Sequence, residues 1–238
     1  MAIDTLVQEL NERLQAVRGR IAEAARQAGR QTDEITLIGI SKFFPAEMAQ
    51  AAVGLGLRDL GENRVQEMLA KIDILAAAGL KPNWHLIGTL QKNKVRQIIG
   101  RTHLIHSVDS LALLSEISQR SQTEQLVTDI LLEVNVSGET SKHGFTADSL
   151  DAALENSMLL PGIRLRGLMT MAPLTDDPND TLPVFSRTRE LFDRLAEQVP
   201  KEQNFSILSM GMSLDFCQAI QCGATHVRIG TAIFGPRL

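Results

Sequence analysis

Lys42 is the residue of this chain best placed for covalent chemistry. It follows an apolar run over residues 35–41, and Pro45 restricts the backbone shortly after it. A lysine amine held on a rigid strand against apolar surface gives up its proton readily, and the neutral amine is a nucleophile toward aldehydes. The position of Lys42 therefore predicts a Schiff-base lysine.

Polar residues also end the other apolar runs. In a barrel of parallel strands, chemistry takes place at the carboxyl ends of the strands, so these residues form one candidate set. The set consists of Lys42, Glu62, Asn63, His85, Ser107, Asp109, Asn135, Thr170, Ser209, Ser213, Arg228, Gly230 and Thr231. Strand ends are polar in most proteins, so the significance of the set comes from its lysine, its arginine and two loops of small residues.

The two loops of small residues are 209–213 (SMGMS) and 228–232 (RIGTA). Glycines let backbone N–H groups approach an anion, hydroxyls add donors, and a short helix after Gly230 would point its positive end at the ligand. The loops after the last two strands of such barrels commonly bind phosphate. Each loop alone is equally consistent with a tight turn at Gly211 or Gly230, but the two together, opposite Lys42, favour a phosphate site.

Three further candidates have both a structural and a functional interpretation. Arg228 interrupts an apolar strand and needs a partner, which is either a strand-end carboxylate or a heteroaromatic nitrogen that it would keep unprotonated. His85, on the apolar run 83–88, is either a core histidine with satisfied hydrogen bonds or an acid/base group. Met169 is either a core residue or a contact for a flat cofactor ring.

The elements that position these residues follow from the hydrophobic pattern. Apolar runs predict strands over residues 35–41, 57–61, 83–88, 103–107, 128–135, 164–171, 205–210 and 225–229. Helical periodicity predicts helices over residues 46–54, 63–78, 92–99, 110–121, 147–157, 183–198 and 214–221. An amphipathic pattern over residues 2–29, closed by Gly29, predicts one more helix at the N-terminus.

Alternating strands and helices predict an α/β fold with parallel strands, and eight such units in 238 residues fit a (β/α)8 TIM barrel. The alternative, a doubly wound open sheet, usually has a Gly-rich turn after its first strand, whereas residues 41–45 contain no glycine. No linker divides the chain. We therefore expect one barrel domain over residues 1–238, with residues 1–29 forming a helix packed on the barrel.

Composition excludes several classes of protein. Net charge is -4 and only 4% of residues are aromatic, which disfavours a nucleic-acid-binding surface. No apolar stretch is long enough for a membrane span, and the first ten residues do not have the pattern of a signal peptide, so we expect a cytoplasmic protein. Cys217 and Cys222 have the spacing of neither a zinc site nor a redox pair.

These motifs occur together in one known family. The chain resembles the pyridoxal phosphate homeostasis protein family, whose barrel is similar to the N-terminal domain of alanine racemase. The matching segments are 39–42 (GISK), 60–67 (LGENRVQE), 84–94 (WHLIGTLQKNK), 166–171 (RGLMTM), 209–213 (SMGMS) and 227–235 (VRIGTAIFG). They run over nearly the whole chain in the order of the family.

The resemblance implies a pyridoxal 5′-phosphate (PLP) pocket, with the cofactor held as a Schiff base (aldimine) on Lys42. It assigns Arg228 to the pyridine nitrogen. At the phosphate it implies Ser213, Gly230 and Thr231, helped by Ser209 and Gly211, and at the ring it implies Asn63 and His85. Met169 stays a candidate ring contact from its place at a strand end. Phe43 stands where many relatives have threonine, which could narrow the mouth of the pocket.

The resemblance further implies a protein of vitamin B6 and amino-acid homeostasis, without an established turnover reaction. Alanine racemase needs a tyrosine from a second domain and the partner subunit; this sequence has no tyrosine and ends at Leu238, so we do not expect that mechanism. An arginine at the ring nitrogen also disfavours a protonated electron sink. We expect a monomer that binds PLP, with PLP-dependent apoenzymes as recipients and no nucleic-acid, membrane or metal partner.

Two enzyme hypotheses remain open. The first is a PLP-dependent enzyme of racemase or lyase type acting on an amino acid, with His85, Cys217 or Lys142 as a second base. The second is a class I aldolase or sugar-phosphate isomerase that uses Lys42 on a substrate carbonyl, although such aldolases usually carry the lysine on a mid-barrel strand. A purely structural role would leave Lys42 and the two phosphate loops unexplained.

Overall fold

The computed structural model describes residues 3–136 and 143–236, and its centre is a closed barrel of eight parallel strands. Each strand pairs with the next in chain order, and the last pairs with the first. The strands are β1 (Thr36–Ile40), β2 (Asp59–Glu62), β3 (Asn83–Leu86), β4 (Leu104–Val108), β5 (Thr128–Glu133), β6 (Ile163–Met169), β7 (Ile207–Ser209) and β8 (His226–Ile229). The predicted (β/α)8 barrel is confirmed, and the open sheet is excluded.

Helices alternate with the strands as the sequence pattern predicted. They are α1 (Ile3–Gln27), α2 (Ala46–Gly54), α3 (Val65–Ala77), α4 (Val95–Ile98), α5 (Leu111–Thr123), α6 (Leu150–Met158), α7 (Leu182–Ala196), α8 (Phe216–Gln221) and α9 (Thr231–Phe234). The predicted helix over residues 92–99 is instead a 3-10 turn, Lys92–Lys94, followed by the short α4. Further 3-10 turns cover Thr32–Glu34, Pro178–Thr181 and Lys201–Gln203.

The first helix, α1, packs along the outside of the barrel against α8 and α9. Its buried residues Leu10, Leu14, Val17 and Ile21 recur every three or four positions and form one apolar face. Beyond α1, Gly29 has a φ of 68°, and the N–H of residue 30 donates to the carbonyl of residue 25 at 2.9 Å. Glycine adopts this left-handed conformation without strain, so it ends the helix where the sequence predicted.

Strand residues alternate between the helices outside and the barrel interior inside. The outward set, which includes Leu60, Leu86, Ile105, Leu132 and Val227, joins helix side chains in one large buried apolar cluster. This cluster holds the strands in position and leaves their carboxyl ends, where the loops begin, to form the site. Within residues 3–136 and 143–236, no helix is long and apolar enough to cross a membrane.

Candidate active site

A cavity of about 610 Å³ opens at the carboxyl ends of the strands. Residues that follow or end β1, β2, β3, β5, β6, β7 and β8 all contribute to its wall. The polar and small lining residues include Lys42, Asn63, Arg64, Gly88, Thr89, Glu133, His143, Ser213, Asp215, Arg228, Gly230 and Thr231, and apolar ones include Ile40, Ile87, Met171, Leu174, Met212 and Leu214. The closed barrel thus brings together side chains that are far apart in the sequence.

Lys42 is fixed in position through the residue before it. Ser41 is fully buried, and its hydroxyl donates to Oε1 of Glu62 at 2.7 Å. From α3, the Nζ of Lys71 donates to the carbonyl oxygen of Ser41 at 2.7 Å and to the same carboxylate oxygen at 2.5 Å. This buried cluster ties the end of β1 to β2 and α3, so the base of the Lys42 side chain is held rigidly.

The residue after Lys42 is held in a strained conformation. Phe43 has a φ of 69°, in the left-handed region that bulky side chains avoid. Its half-exposed ring lies beside two residues of the cavity wall, with Nζ of Lys42 6.0 Å and the guanidinium carbon of Arg64 5.8 Å from the ring centre. Strain of this kind concentrates at functional sites, where the surrounding structure imposes it.

Asn63 enters the cavity next to a glycine that the site requires. A Cβ on Gly88 would lie 2.3 Å from the backbone oxygen of Asn63, so only glycine lets the two segments approach this closely. The hydroxyl of Ser107 fixes the glycine by donating to its carbonyl at 2.6 Å. Within the described residues, Oδ1 of Asn63 is one of two buried side-chain polar atoms without a hydrogen-bond partner, the other being Oε2 of Glu62. A buried acceptor left unpaired in a cavity wall is suited to a ligand donor.

The two predicted phosphate loops meet at Ser213. Its hydroxyl oxygen accepts from the backbone N–H of Gly230 at 3.3 Å and of Ala232 at 3.4 Å. The N–H groups of Gly230 and Ala232 therefore point at Ser213, and Ser213, Gly230 and Thr231 all line the cavity wall. Among the same loops, Asp215 accepts from the N–H of Met212 at 2.6 Å, and burial raises the pKa of its carboxyl.

Arg228 reaches the cavity floor from β8. Its Nη1 donates to the hydroxyl of Ser209 at 2.7 Å, and its Nη2 donates to the carbonyl of Thr170 at 2.9 Å. Burial lowers the pKa of Arg228 to about 10, although the negative charges of Asp215 and Glu133 oppose this effect, so the guanidinium keeps its charge at neutral pH. Its hydrogen bonds go to neutral acceptors, and the expected alternative of a structural ion pair is not found among the described residues.

His85 does not border the cavity, which corrects the expectation from the sequence. Its ring is fully buried inside the barrel, where Nε2 lies 3.1 Å from Oδ1 of Asp59 and Nδ1 lies 2.9 Å from Nε2 of His106. Asp59 begins β2, so the histidine faces the opposite end of the barrel. Burial lowers the pKa of His85, with Asp59 opposing the effect. The interpretation as a core histidine is the one the structure supports.

Three other expected contacts also lie below or beside the cavity. Met169 packs inside the barrel with Leu104, Leu131 and Ile207, and Met171, two residues later, lines the cavity instead. Ser209 is fully buried beneath Arg228. Gly211 has a φ of 88° and packs against α8, with its carbonyl accepting the N–H of Arg228 at 3.0 Å, so it makes the tight turn that was the alternative interpretation.

The sequence prediction missed Glu133, the acid that ends β5 in the cavity wall. The predicted strand ran to residue 135, so Asn135 was taken as its polar end. Burial and, to a lesser extent, the negative charge of Asp109 raise the pKa of Glu133 to about 7, against the opposing effects of Arg228 and His143. The signal that could have found it is an acid at the last position of an apolar run, where an unpaired charge is disfavoured.

Of the two other residues proposed as a second base, Cys217 does not line the cavity. Cys217 lies on α8, 3.7 Å from Nη2 of Arg20 on α1, on the outside of the barrel. Lys142 lies outside the described residues. Glu133 and His143 are among the titratable groups that line the cavity.

Comparison with known proteins places the sequence in a family. The alanine racemase N-terminal domain family matches residues 13–237. The pyridoxal phosphate homeostasis protein of Aquifex aeolicus is 44% identical over 228 residues, which cover 95% of this chain and 97% of the relative. The protein of the same name from Pseudomonas aeruginosa is 42% identical over 226 residues, 95% of each chain.

Solved structures agree with this placement. A protein from Bifidobacterium adolescentis superposes with a TM-score of 0.90 at 35% identity and 98% coverage of both chains. PipY of Synechococcus elongatus, solved with PLP bound, has a TM-score of 0.82 at 33% identity, covering 95% of this chain and 100% of that one. Alanine racemase of Clostridium difficile, at 16% identity and a TM-score of 0.71, shares the fold. The chain therefore belongs to the alanine racemase N-terminal domain family and, within it, to the pyridoxal phosphate homeostasis proteins.

Proposed function

We propose that this protein binds PLP in the cavity at the carboxyl end of the barrel, on Lys42, and serves in PLP and amino-acid homeostasis. The observation that carries the proposal is the meeting of Lys42, Arg228 and the Ser213/Gly230 loops in one cavity. When bound, PLP supplies an aldehyde that an amine can attack and an electron-withdrawing ring. PipY, a relative of the same fold and length, was solved with PLP.

The residues present fit this cofactor. Lys42 supplies the amine for a Schiff base, and the loop containing Gly230 and Thr231 supplies backbone N–H donors and hydroxyls for a phosphate. Arg228 supplies a permanently charged donor for the ring nitrogen. The unpaired Oδ1 of Asn63 would supply a hydrogen-bond acceptor in the cavity wall. Because a guanidinium does not give up its proton at neutral pH, Arg228 would keep the ring nitrogen unprotonated. An unprotonated ring stabilises carbanions less well, which suits a protein that binds PLP without turnover.

The visible absorption spectrum tests the proposal. Purified protein incubated with PLP should show a visible Schiff-base band that borohydride removes, and Lys42→Ala should lack it. Lys92→Ala, an exposed lysine outside the cavity wall, is the matched control and should keep the band. A wild-type protein that stays colourless would overturn the proposal and favour the aldolase or isomerase hypothesis. A band retained by Lys42→Ala would place the Schiff base on another lysine.

We further propose that the protein acts as a monomer in the cytoplasm and passes PLP to apoenzymes. The exposed side chains of Leu174 and Leu214, which line the cavity, would give a recipient access to it. Mixing PLP-loaded protein with an excess of a PLP-dependent apoenzyme should restore that enzyme's activity faster than free PLP at the same unbound concentration. Equal rates would show that release into solution, and not transfer, supplies the recipient. Sedimentation velocity measures the oligomeric state.

A second candidate, a PLP-dependent amino-acid enzyme, has one observation in its favour. Glu133 lines the cavity with a pKa near neutrality, as a general acid or base requires. Amino acids incubated with the PLP-loaded protein in deuterated water would exchange the α-hydrogen if this hypothesis held, and Glu133→Gln would abolish the exchange. Absence of exchange for all amino acids supports the homeostasis function without turnover.

A further inference from the structure

The interior of this barrel is polar along one path. The interior of such barrels is usually filled with branched apolar side chains. Here Asp59, His85, His106, Ser209 and Arg228 occupy inward positions on β2, β3, β4, β7 and β8. Both histidines and Ser209 are fully buried, and Arg228 is 3% exposed. Burying so many polar groups is unfavourable unless each is hydrogen-bonded.

These five side chains form an unbroken hydrogen-bond chain from one end of the barrel to the cavity floor. Asp59 Oδ1 lies 3.1 Å from Nε2 of His85, and His85 Nδ1 lies 2.9 Å from Nε2 of His106. His106 Nδ1 lies 2.9 Å from the hydroxyl of Ser209, which lies 2.7 Å from Nη1 of Arg228. We call this set the Asp59–Arg228 chain.

The proton positions in the Asp59–Arg228 chain follow from its acidic end. The hydrogen bonds from His85 and Asn83 outweigh burial and keep the pKa of Asp59 below its usual value, so its carboxylate only accepts. Burial lowers the pKa of His85 and, to a greater extent, that of His106, so both rings are neutral. His85 must then carry its proton on Nε2, and its Nδ1 accepts.

The remaining protons follow in order. Because Nδ1 of His85 accepts, Nε2 of His106 must donate, which leaves Nδ1 of His106 as an acceptor. The hydroxyl of Ser209 therefore donates to His106, and its lone pairs remain for Arg228. The basic end is compatible with this arrangement, since a guanidinium only donates and the Ser209 oxygen has lone pairs to accept its proton. Reversing either histidine would place two donors or two acceptors face to face in a buried site.

We propose that Asp59 is a remote positioning residue for the PLP site: it fixes the proton arrangement of both histidines, so that the Ser209 hydroxyl turns its proton toward His106 and its lone pairs toward Arg228 and holds the guanidinium at the cavity floor. The expected effect of Asp59 on PLP affinity rests on the proposed function. The proton arrangement itself can be measured without PLP. It assigns a role to His85 and His106, neither of which lines the cavity.

Long-range ¹H–¹⁵N spectra of ¹⁵N-histidine-labelled protein, prepared without PLP, test the arrangement. Such spectra distinguish a ring protonated on Nε2, on Nδ1 or on both. We expect the Nε2–H form for both His85 and His106, assigned by single substitution of each histidine. Asp59→Asn, which keeps an acceptor oxygen, should preserve this pattern, and Asp59→Leu should mix the two forms. An Nδ1–H form or a doubly protonated ring at either residue in the wild type would overturn the proposal.

PLP titration tests the consequence. Asp59→Leu should weaken PLP binding about threefold to tenfold, because the bond to a charged donor is loosened and not abolished. Asp59→Asn should restore most of the affinity, and Asp33→Leu, an exposed acid on the short turn before β1, should match the wild type. If Asp59→Leu does not fold, Ser209→Ala interrupts the chain next to Arg228 and should weaken binding to a similar degree.

The outcomes separate this proposal from the proposed function. A wild-type protein that forms no Schiff-base band refutes the proposed function. The tautomers of His85 and His106 would still show whether the Asp59–Arg228 chain has the proposed proton arrangement. Wild-type affinity in both Asp59→Leu and Ser209→Ala, in a protein that does bind PLP, refutes the positioning role even if the tautomers are as expected.

Discussion

The ammonium of Lys71 lies 2.7 Å from the carbonyl oxygen of Ser41, the residue before Lys42. Lys71, on the outer helix α3, thus fixes the backbone next to Lys42, which lines the cavity. The same ammonium lies 2.5 Å from the carboxylate of Glu62, which is fully buried. The second lysine is therefore structural, and its removal would leave a buried carboxylate without its counter-ion.

Lys71→Met should destabilise the protein by about 3–5 kcal/mol, because breaking a buried pair leaves an uncompensated charge. Urea unfolding measures the change in the free energy of unfolding. Lys81→Met, at an exposed position, is the control and should change it little. Adding Glu62→Gln to the first variant should recover part of the loss. A loss in Lys71→Met no larger than in the control would show that the pair contributes nothing.

Glu133→Gln should change the pH dependence of stability. The pKa of Glu133 is raised from 4.5 to about 7 in the folded protein. Between these values the unfolded carboxyl has lost its proton and the folded one keeps it, so stability falls as pH rises through this window. The variant should therefore match the wild type near pH 4 and be more stable at pH 8.

Urea unfolding at both pH values measures this difference, with the exposed Glu155→Gln as control. An equal effect of Glu133→Gln at pH 4 and pH 8 would contradict a raised pKa.

Gly88→Ala should both destabilise the fold and weaken PLP binding. The added Cβ would meet the backbone of Asn63 at 2.3 Å, so that segment must move, at a cost of about 1–3 kcal/mol. Gly19→Ala, inside α1 with nothing within 4 Å of the new Cβ, should instead stabilise by about 0.5–1 kcal/mol. Thermal unfolding and PLP titration of both variants measure the effects. Unchanged PLP affinity in Gly88→Ala would show that PLP binding does not depend on the position of Asn63.

The strain at Phe43 predicts a preference for glycine over alanine. Phe43→Gly and Phe43→Ala both remove the ring, but only alanine keeps a Cβ on a residue with a φ of 69°. Phe43→Gly should therefore be more stable than Phe43→Ala by about 1 kcal/mol. At the neighbouring Phe44, which has no positive φ, the order should reverse because glycine has the larger unfolded-state entropy. Chemical denaturation of the four variants gives both differences, and the same order at both positions would argue against strain.

Local pattern was sufficient to predict much of this fold. The helix predicted over residues 46–54 is α2, Ala46–Gly54, and the short helix expected after Gly230 is α9, Thr231–Phe234. These elements depend on side-chain periodicity and on turn residues close in sequence, which is why they can be predicted without a structure. The same pattern placed Lys42, Asn63, Ser213, Arg228 and Gly230 at strand ends, and the structure brings all five to one cavity.

Depth along the barrel axis was decided only by the tertiary structure. Periodicity of two tells which side chains face inward, but the stagger of the strands decides whether an inward residue lies at the cavity or below it. For that reason His85 and Met169 lie below the cavity, while Glu133 and Met171 reach it. The hydrogen-bond chain from Asp59 to Arg228 likewise joins five strands, and its contacts exist only once the barrel has closed. The sequence by itself determined the elements and the chemistry at their ends; closure of the barrel decided which of those groups meet.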